Sequence, residues 1–147
     1  LVIERDIGLK NHIDTGKQIN ADVSAELLET IFTPPTPLHD GAAIIRGDRI
    51  RAAACILPLS RNENLAYTLG TRHRAALGIT EESDAFVIVV SEESRQISVA
   101  EEGRLKRRLT LDKLRTELER VYGATASGLG DIATTKTSGT RTVAGGD

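Results

Sequence analysis

Apolar positions along this chain fall into short runs that predict a mixed set of strands and helices. Leu1-Val2-Ile3-Glu4-Arg5 is brief, apolar and β-branched, which predicts a buried strand, followed by a loop to about Asn20. From Asp22 to Phe32 the residues Val23, Leu27, Leu28 and Ile31 recur at helical spacing, with Asn20, Asp22 and Ser24 as candidate N-caps. Pro34, Pro35 and Pro37 end that helix, because proline lacks an amide donor and restricts the residue before it. Two apolar runs, Gly41 to Ile45 and Ile50 to Leu57, flank Arg46-Gly47-Asp48-Arg49, which predicts an antiparallel hairpin.

A polar loop over Ser60 to Asn64 leads to Gly70-Thr71-Arg72-His73-Arg74-Ala75-Ala76-Leu77, where Thr71 is expected to cap a helix carrying two arginines in its first turn. Ala85 to Val90 is wholly apolar and suits an interior strand of a sheet covered on both faces. It pairs with Gln96 to Ala100 through a turn at Ser91 to Arg95, and Glu101-Glu102-Gly103 predicts another tight turn. Arg104, Lys106, Arg107 and Arg108 read as a solvated strand and turn. Thr110 opens a final helix with Leu111, Leu114, Leu118, Val121 and Tyr122 on one stripe. From Gly123 to Asp147, eighteen of 25 residues are Gly, Ala, Ser or Thr, which predicts a linker or disordered tail. The expected class is α/β, a mixed central sheet flanked by helices, in one domain over 1–122 with the tail at 123–147.

Composition narrows the function. With 147 residues and 39% hydrophobic content the chain suits a single core. Nineteen basic and twenty-one acidic residues give a net charge of −2, and Phe32, Phe86, Tyr67 and Tyr122 are the only aromatics. Neither a basic face for duplexes nor a stacking series for single strands is present, so no nucleic-acid partner is expected. No apolar run approaches the length of a membrane span, so the sequence reads as a soluble piece, and the lack of methionine suggests excision from a longer protein. The lone Cys55 lies in an apolar run and reads as a buried thiol suited to a reducing cytoplasm.

Three segments carry candidate chemistry. His39-Asp40-Gly41-Ala42 stands where a proline-rich loop enters a strand, so Asp40 can ligate a divalent metal or accept a proton, and Gly41 allows close backbone approach. Taken alone, an Asp-Gly pair is more often an ordinary turn. Gly70-Thr71-Arg72-His73-Arg74 offers helix-terminal amides, a hydroxyl and two guanidinium forks to phosphate, against the alternative of a solvated helix start. His73 has no second histidine at ligand spacing and reads as an orienting residue. Ser91-Glu92-Glu93 ends an apolar strand, where carboxylates suit magnesium or manganese, although Glu-Glu in a turn is usually plain solvated surface.

Taken together and in this order, the segments resemble the diadenylate cyclase domain family, of its membrane-anchored branch. Asp40-Gly41-Ala42 and Arg72-His73-Arg74 match its two motifs, and Thr36 to Ala42, Cys55 to Leu59, Gly70 to Gly78 and Val90 to Glu93 extend the likeness, which covers about Leu1 to Tyr122. The resemblance implies condensation of two ATP into cyclic di-AMP and two pyrophosphates at a site shared by two facing subunits. It implies a divalent metal, Mg2+ or Mn2+, held by His39, Asp40 and Glu93. Asp40 would activate the ribose 3′-hydroxyl; Thr71 and Arg72, supported by Arg74, would hold the phosphates; Ser91 would touch the triphosphate. The backbone at Leu57 would recognise adenine, with Gly41, Gly70 and Glu92 also lining the ATP site and Gly41, Ala42 and His73 completing the catalytic motifs. Further implications are a homodimer or higher homo-oligomer, transmembrane helices upstream, a place at the cytoplasmic face of the cell membrane, and a membrane regulator and a phosphoglucosamine mutase as partners. Ser94-Arg95 departs from the glycine-containing turn of relatives. A non-catalytic nucleotide sensor and a metal-dependent phosphate-ester hydrolase are the competing readings.

Overall fold

In a computed structural model that describes residues 1–66 and 69–123, strand β1 (Val2–Glu4) lies at the middle of a seven-stranded sheet. The other strands are β2 (Lys17–Asp22), β3 (Ala42–Arg46), β4 (Arg49–Cys55), β5 (Phe86–Val90), β6 (Ile97–Glu101) and β7 (Arg104–Leu109). Their order is β2-β4-β3-β1-β5-β6-β7, and only β1 and β3 run parallel. Helices α1 (Lys10–Ile13), α2 (Ala25–Phe32), α3 (Glu63–Ala66) and α4 (Thr71–Glu82) complete the first of two compact units, Leu1–Thr110.

The strand β3 shows why its sequence is continuously apolar. Successive side chains leave a strand on opposite faces. Ile44 therefore joins one core with Val2, Val87 and Ala100, beneath Leu9 and Ile13 on the α1 side and Ala76 and Ile79 of α4. Ala43 and Ile45 join the other, beneath Ile31, Leu27 and Leu28 of α2. With both faces covered, neither parity can be polar, and the α/β expectation holds. Cys55 is buried, and burial pushes its thiol up to about 11, which leaves it protonated and inert.

Several expected boundaries move. The stretch read as loop to Asn20 contains α1 and β2. The residues of β2 are mostly exposed, because it is an edge strand with few inward positions, so its pattern carried little apolar signal. The helix expected from Asp22 starts at Ala25. Ser24 is its cap, accepting from the Leu27 amide at 3.1 Å, while Asp22 belongs to β2. The strand β4 stops at Cys55 and not at Leu57, and Ala54, with a positive φ of 53°, stands at an irregularity of the β3–β4 ladder just before that end. Thr71 does not cap α4. Gly70 does, in extended conformation, and Thr71 is the first helical residue.

In the second unit, Leu111–Asp147, the described part is helix α5 (Leu111–Gly123), one residue later than Thr110. Val121 is buried, whereas Leu111 is exposed and falls outside the expected stripe. The tail expected at 123–147 lies outside the described residues but for Gly123.

Candidate active site

Strand directions bring the candidate segments to one end of the sheet. Ala42 pairs with Cys55 across the antiparallel β3–β4 ladder, so the start of β3 and the end of β4 share an edge. Val2 pairs with Ile44 in parallel and with Val87 antiparallel, so β5 also ends there. Only Ser83–Ala85 join α4 to β5, which sets the C-terminus of α4 at the far end and its N-terminus at this one. The Arg72 guanidinium then reaches Glu92 of the β5–β6 hairpin as an ion pair. Four segments are thus gathered: His39–Gly41, the first turn of α4, Ser91–Glu93 and Ile56–Ser60.

The first segment is shaped by a close approach. Gly41 has φ +97°, and a Cβ there would stand 2.8 Å from the Cys55 carbonyl oxygen and 2.9 Å from the Ala54 carbonyl carbon. No side chain fits. Ala42 behind it is buried, which leaves Asp40 as the outermost residue of the turn, its side chain 88% exposed. His39 Nδ1 lies 2.6 Å from the Thr36 carbonyl oxygen, which can only accept, so Nδ1 carries a proton. In the neutral ring this leaves the Nε2 lone pair facing Asp40 Oδ1 at 4.0 Å.

The start of α4 supplies the second. The helical hydrogen bonding of α4 begins with the Arg74 amide donating to the Gly70 carbonyl at 3.1 Å. The amides of Thr71, Arg72 and His73 precede it and have no intrahelical acceptor, and they carry the positive end of the helix dipole. Thr71 and Arg72 are exposed, whereas His73 and Arg74 are half-buried. Burial, and secondarily the Arg107 guanidinium, holds the His73 imidazole below its ordinary 6.5. The basic run Arg104, Lys106, Arg107 and Arg108 is exposed, as the sequence predicts, and Arg107 within it comes near enough to His73 to act on its charge. The Arg74 Nε is buried and has no hydrogen-bond partner among the described residues.

In the third segment, Ser91 and Gln96 close the hairpin, with the Ser91 amide donating to the Gln96 carbonyl at 3.0 Å and the Arg95 amide to the Ser91 carbonyl at 2.9 Å. Arg95 takes φ +59°, the conformation a glycine would take without strain. Glu92 and Glu93 are exposed. The expected trio His39, Asp40 and Glu93 is not assembled within one chain. Among the described residues no three His, Cys, Asp or Glu stand as a metal cluster. The reason is topological: β1 lies between β3 and β5, placing the Glu93 hairpin two strand spacings, about 10 Å, from Asp40.

Sequence reasoning missed part of the fourth segment. Leu57 packs against the core, but Ile56 beside it is 70% exposed and Leu59 44%, and Val90 at the end of β5 is 50% exposed. The apolar run concealed them, because a continuous apolar stretch does not show which of its residues turn outward once the strand ends at Cys55. Ser60, read as part of a polar loop, is buried to 5% exposure and bonded to α4 at two points. No local pattern signals that.

Comparison with known proteins adds one decisive match: residues 1–105 fit the family model described as DAC, DisA bacterial checkpoint controller nucleotide-binding. The chain belongs to the DAC family. Among its relatives, cyclic di-AMP synthase CdaA of Bacillus subtilis is 54% identical over 119 residues, covering 81% of this chain and 44% of that protein. The diadenylate cyclase of Listeria monocytogenes is 51% identical over 112 residues, 76% of this chain and 41% of the relative. The crystal structure of a double mutant of DacA from Staphylococcus aureus superposes with a TM-score of 0.79 at 47% identity, covering 81% of this chain and 79% of that one. A hypothetical membrane spanning protein from Bacillus cereus matches with a TM-score of 0.71 at 47% identity, over 74% and 53% of the two chains. This DAC chain thus spans less than half the length of the first two relatives. None of its described helices is long and apolar enough to cross a membrane.

Proposed function

We propose that this chain is a diadenylate cyclase domain that condenses two ATP molecules into cyclic di-AMP and two pyrophosphates, using a site completed by a second, facing copy. The observation that carries the reading is the convergence of Asp40, the Leu57 segment, the first turn of α4 and the β5–β6 hairpin at one end of the sheet. Two relatives are named for this product or activity.

Each 3′-hydroxyl attacks the α-phosphorus of the other ATP. A P–O bond forms to the ribose oxygen, the bond to pyrophosphate breaks, and the hydroxyl proton leaves to a base; done twice, this closes the ring. Asp40 is that base. Its exposure suits a carboxylate that must reach a nucleotide held opposite it. The free amides of Thr71 to His73, the Thr71 hydroxyl and the Arg72 fork hold the triphosphate, Arg74 supports them, and Ser91 contacts it from the hairpin. Glu92 holds the Arg72 fork in place; with both partners substantially exposed the pair contributes at most about 1 kcal/mol, so phosphate can share or displace it. The Leu57 backbone reads adenine.

Two donors present fit a divalent cation: the His39 Nε2 lone pair and the Asp40 carboxylate face one another without hydrogen-bonding, and Thr36 fixes the ring from behind. A bound Mg2+ or Mn2+ would supply charge neutralisation for the triphosphate. Glu93 would join such a site from the hairpin of the facing copy. By the same likeness the full-length protein is held at the cytoplasmic face of the cell membrane, with a membrane regulator and a phosphoglucosamine mutase as partners.

The test is incubation of the purified chain with ATP and either cation, with nucleotides identified by mass. Cyclic di-AMP and pyrophosphate are expected, and Asp40→Asn should lower product formation by at least about a hundredfold while ATP still binds. AMP or free phosphate as the sole product, or full synthesis by Asp40→Asn, would refute the assignment.

A further inference from the structure

Helix α4 does more than present its N-terminus. Along one stripe of this helix, at positions 74, 78 and 81, it holds the segment that follows β4. The Ser60 amide donates to the Arg74 carbonyl at 2.9 Å, and the Ser60 hydroxyl donates to Glu81 Oε1 at 2.5 Å. Between these, Gly78 lies so close to the Pro58 carbonyl that a Cβ would stand 1.9 Å from its oxygen. Ser60 Oγ also accepts from the Asn62 amide at 3.2 Å, so a serine only 5% exposed joins the loop to the helix and to itself. A buried serine with three bonds has one orientation, and the backbone of Leu57 to Leu59 is fixed with it.

We propose that Ser60 and Glu81 are positioning residues that fix the spacing between the base-reading Leu57–Leu59 backbone and the phosphate-holding start of α4. One rigid helix thereby sets both ends of the nucleotide site. The proposal rests on the cyclase reading for the identity of the ligand, but not for its geometry: any nucleoside triphosphate bridging loop and helix start meets the same constraint. A ligand that touches both ends gains from their fixed separation, whereas one that touches only the helix start does not.

The experiment compares ATP with inorganic tripolyphosphate, which has the phosphates and no base. Binding of each to the whole chain is measured by calorimetry, along with KM and kcat for ATP and the thermal midpoint, for the parent, Glu81→Ala, Glu81→Gln and Ser60→Ala. In Glu81→Ala the Kd and KM for ATP should rise about tenfold, the effect of one lost hydrogen bond, while tripolyphosphate affinity stays within about twofold. Glu81→Gln keeps an acceptor oxygen and should recover most of the loss. If Glu81→Ala does not fold, Ser60→Ala, which removes a single oxygen, decides by the same two ligands. Unchanged ATP affinity in a folded variant, or equal losses for ATP and tripolyphosphate, would overturn the proposal. A parent that binds ATP yet makes no cyclic product overturns the cyclase reading alone, because the binding comparison still stands.

Discussion

Burial and the Arg107 guanidinium act on His73 in the same direction, against a third positive charge beside Arg72 and Arg74. The imidazole is therefore the neutral member of a cationic turn, which suits an orienting group better than a phosphate ligand. The sign of its pH effect follows. Above about 6.5 His73 is neutral folded or unfolded and makes no difference to stability. Below it the unfolded chain takes up the proton first, so stability is lost as the pH falls from 6.5 towards the lower folded value. Calorimetric melting at pH 5.5 and 7.5 should show a drop at the acid end that His73→Gln makes smaller; an equal drop in the variant would remove His73 from the cause. At the other motif the two readings of Asp-Gly divide between its residues. Gly41 is there because the Cys55 and Ala54 backbone leaves no room for a Cβ, which is the structural explanation. Asp40 is different, since among the described residues its carboxylate accepts no backbone amide as a turn cap would, and it projects into solvent.

The helix α4 shows how one element can be half legible. Its N-terminal chemistry stands in the sequence as Thr71-Arg72-His73-Arg74, and its inward stripe as Ala76 and Ile79. Its third face, against Pro58 and Leu59, is marked only by Gly78, which as an isolated helical glycine predicts nothing by itself. Replacing it should separate the two contributions to helix stability. Gly78→Ala gains about 1 kcal/mol of helix propensity, but a Cβ 1.9 Å from a backbone oxygen forces loop or helix to move. Such overpacking costs about 1–3 kcal/mol, so the net effect is destabilising and the denaturation midpoint should fall. ATP affinity should fall with it; a variant as stable as the parent would show that the 58–59 backbone yields freely. The same distinction explains what the sequence could reveal elsewhere. Runs with a covered face, such as Ala43 to Ile45 and Phe86 to Val89, declare themselves by hydrophobicity. The edge strand β2 does not, since of its two apolar residues, Ile19 and Ala21, only Ile19 packs on the core. The bonds from Ser60 to α4 are invisible for another reason: they join residues 14 and 21 positions apart, one between backbone groups that every residue carries and one between a serine and a glutamate that no local pattern pairs.

Across the whole molecule, the proposed cyclase reaction asks for more than one copy holds. Two in-line attacks need two bases, and on this reading each chain supplies one, Asp40, at the end of its sheet where β3 begins. The hairpin carrying Glu93 is offset from Asp40 by the width of β1 and β5, which leaves each chain with the two halves of a site displaced sideways. A two-fold axis between facing copies would set the Asp40 loop of one against the nucleotide held by the other, and do so twice. The exposed Ile56, Leu59 and Val90 lie on this same end, where such a meeting or a bound base would cover them. If the facing pair is the catalyst, product formation at low chain concentration should rise with about the square of that concentration, becoming linear once pairing saturates. Sedimentation at the same concentrations gives the dimer fraction, and the rate per dimer should then be constant throughout. A rate strictly proportional to chain concentration while sedimentation shows monomers would mean that one copy completes both attacks, and the shared site would have to be abandoned.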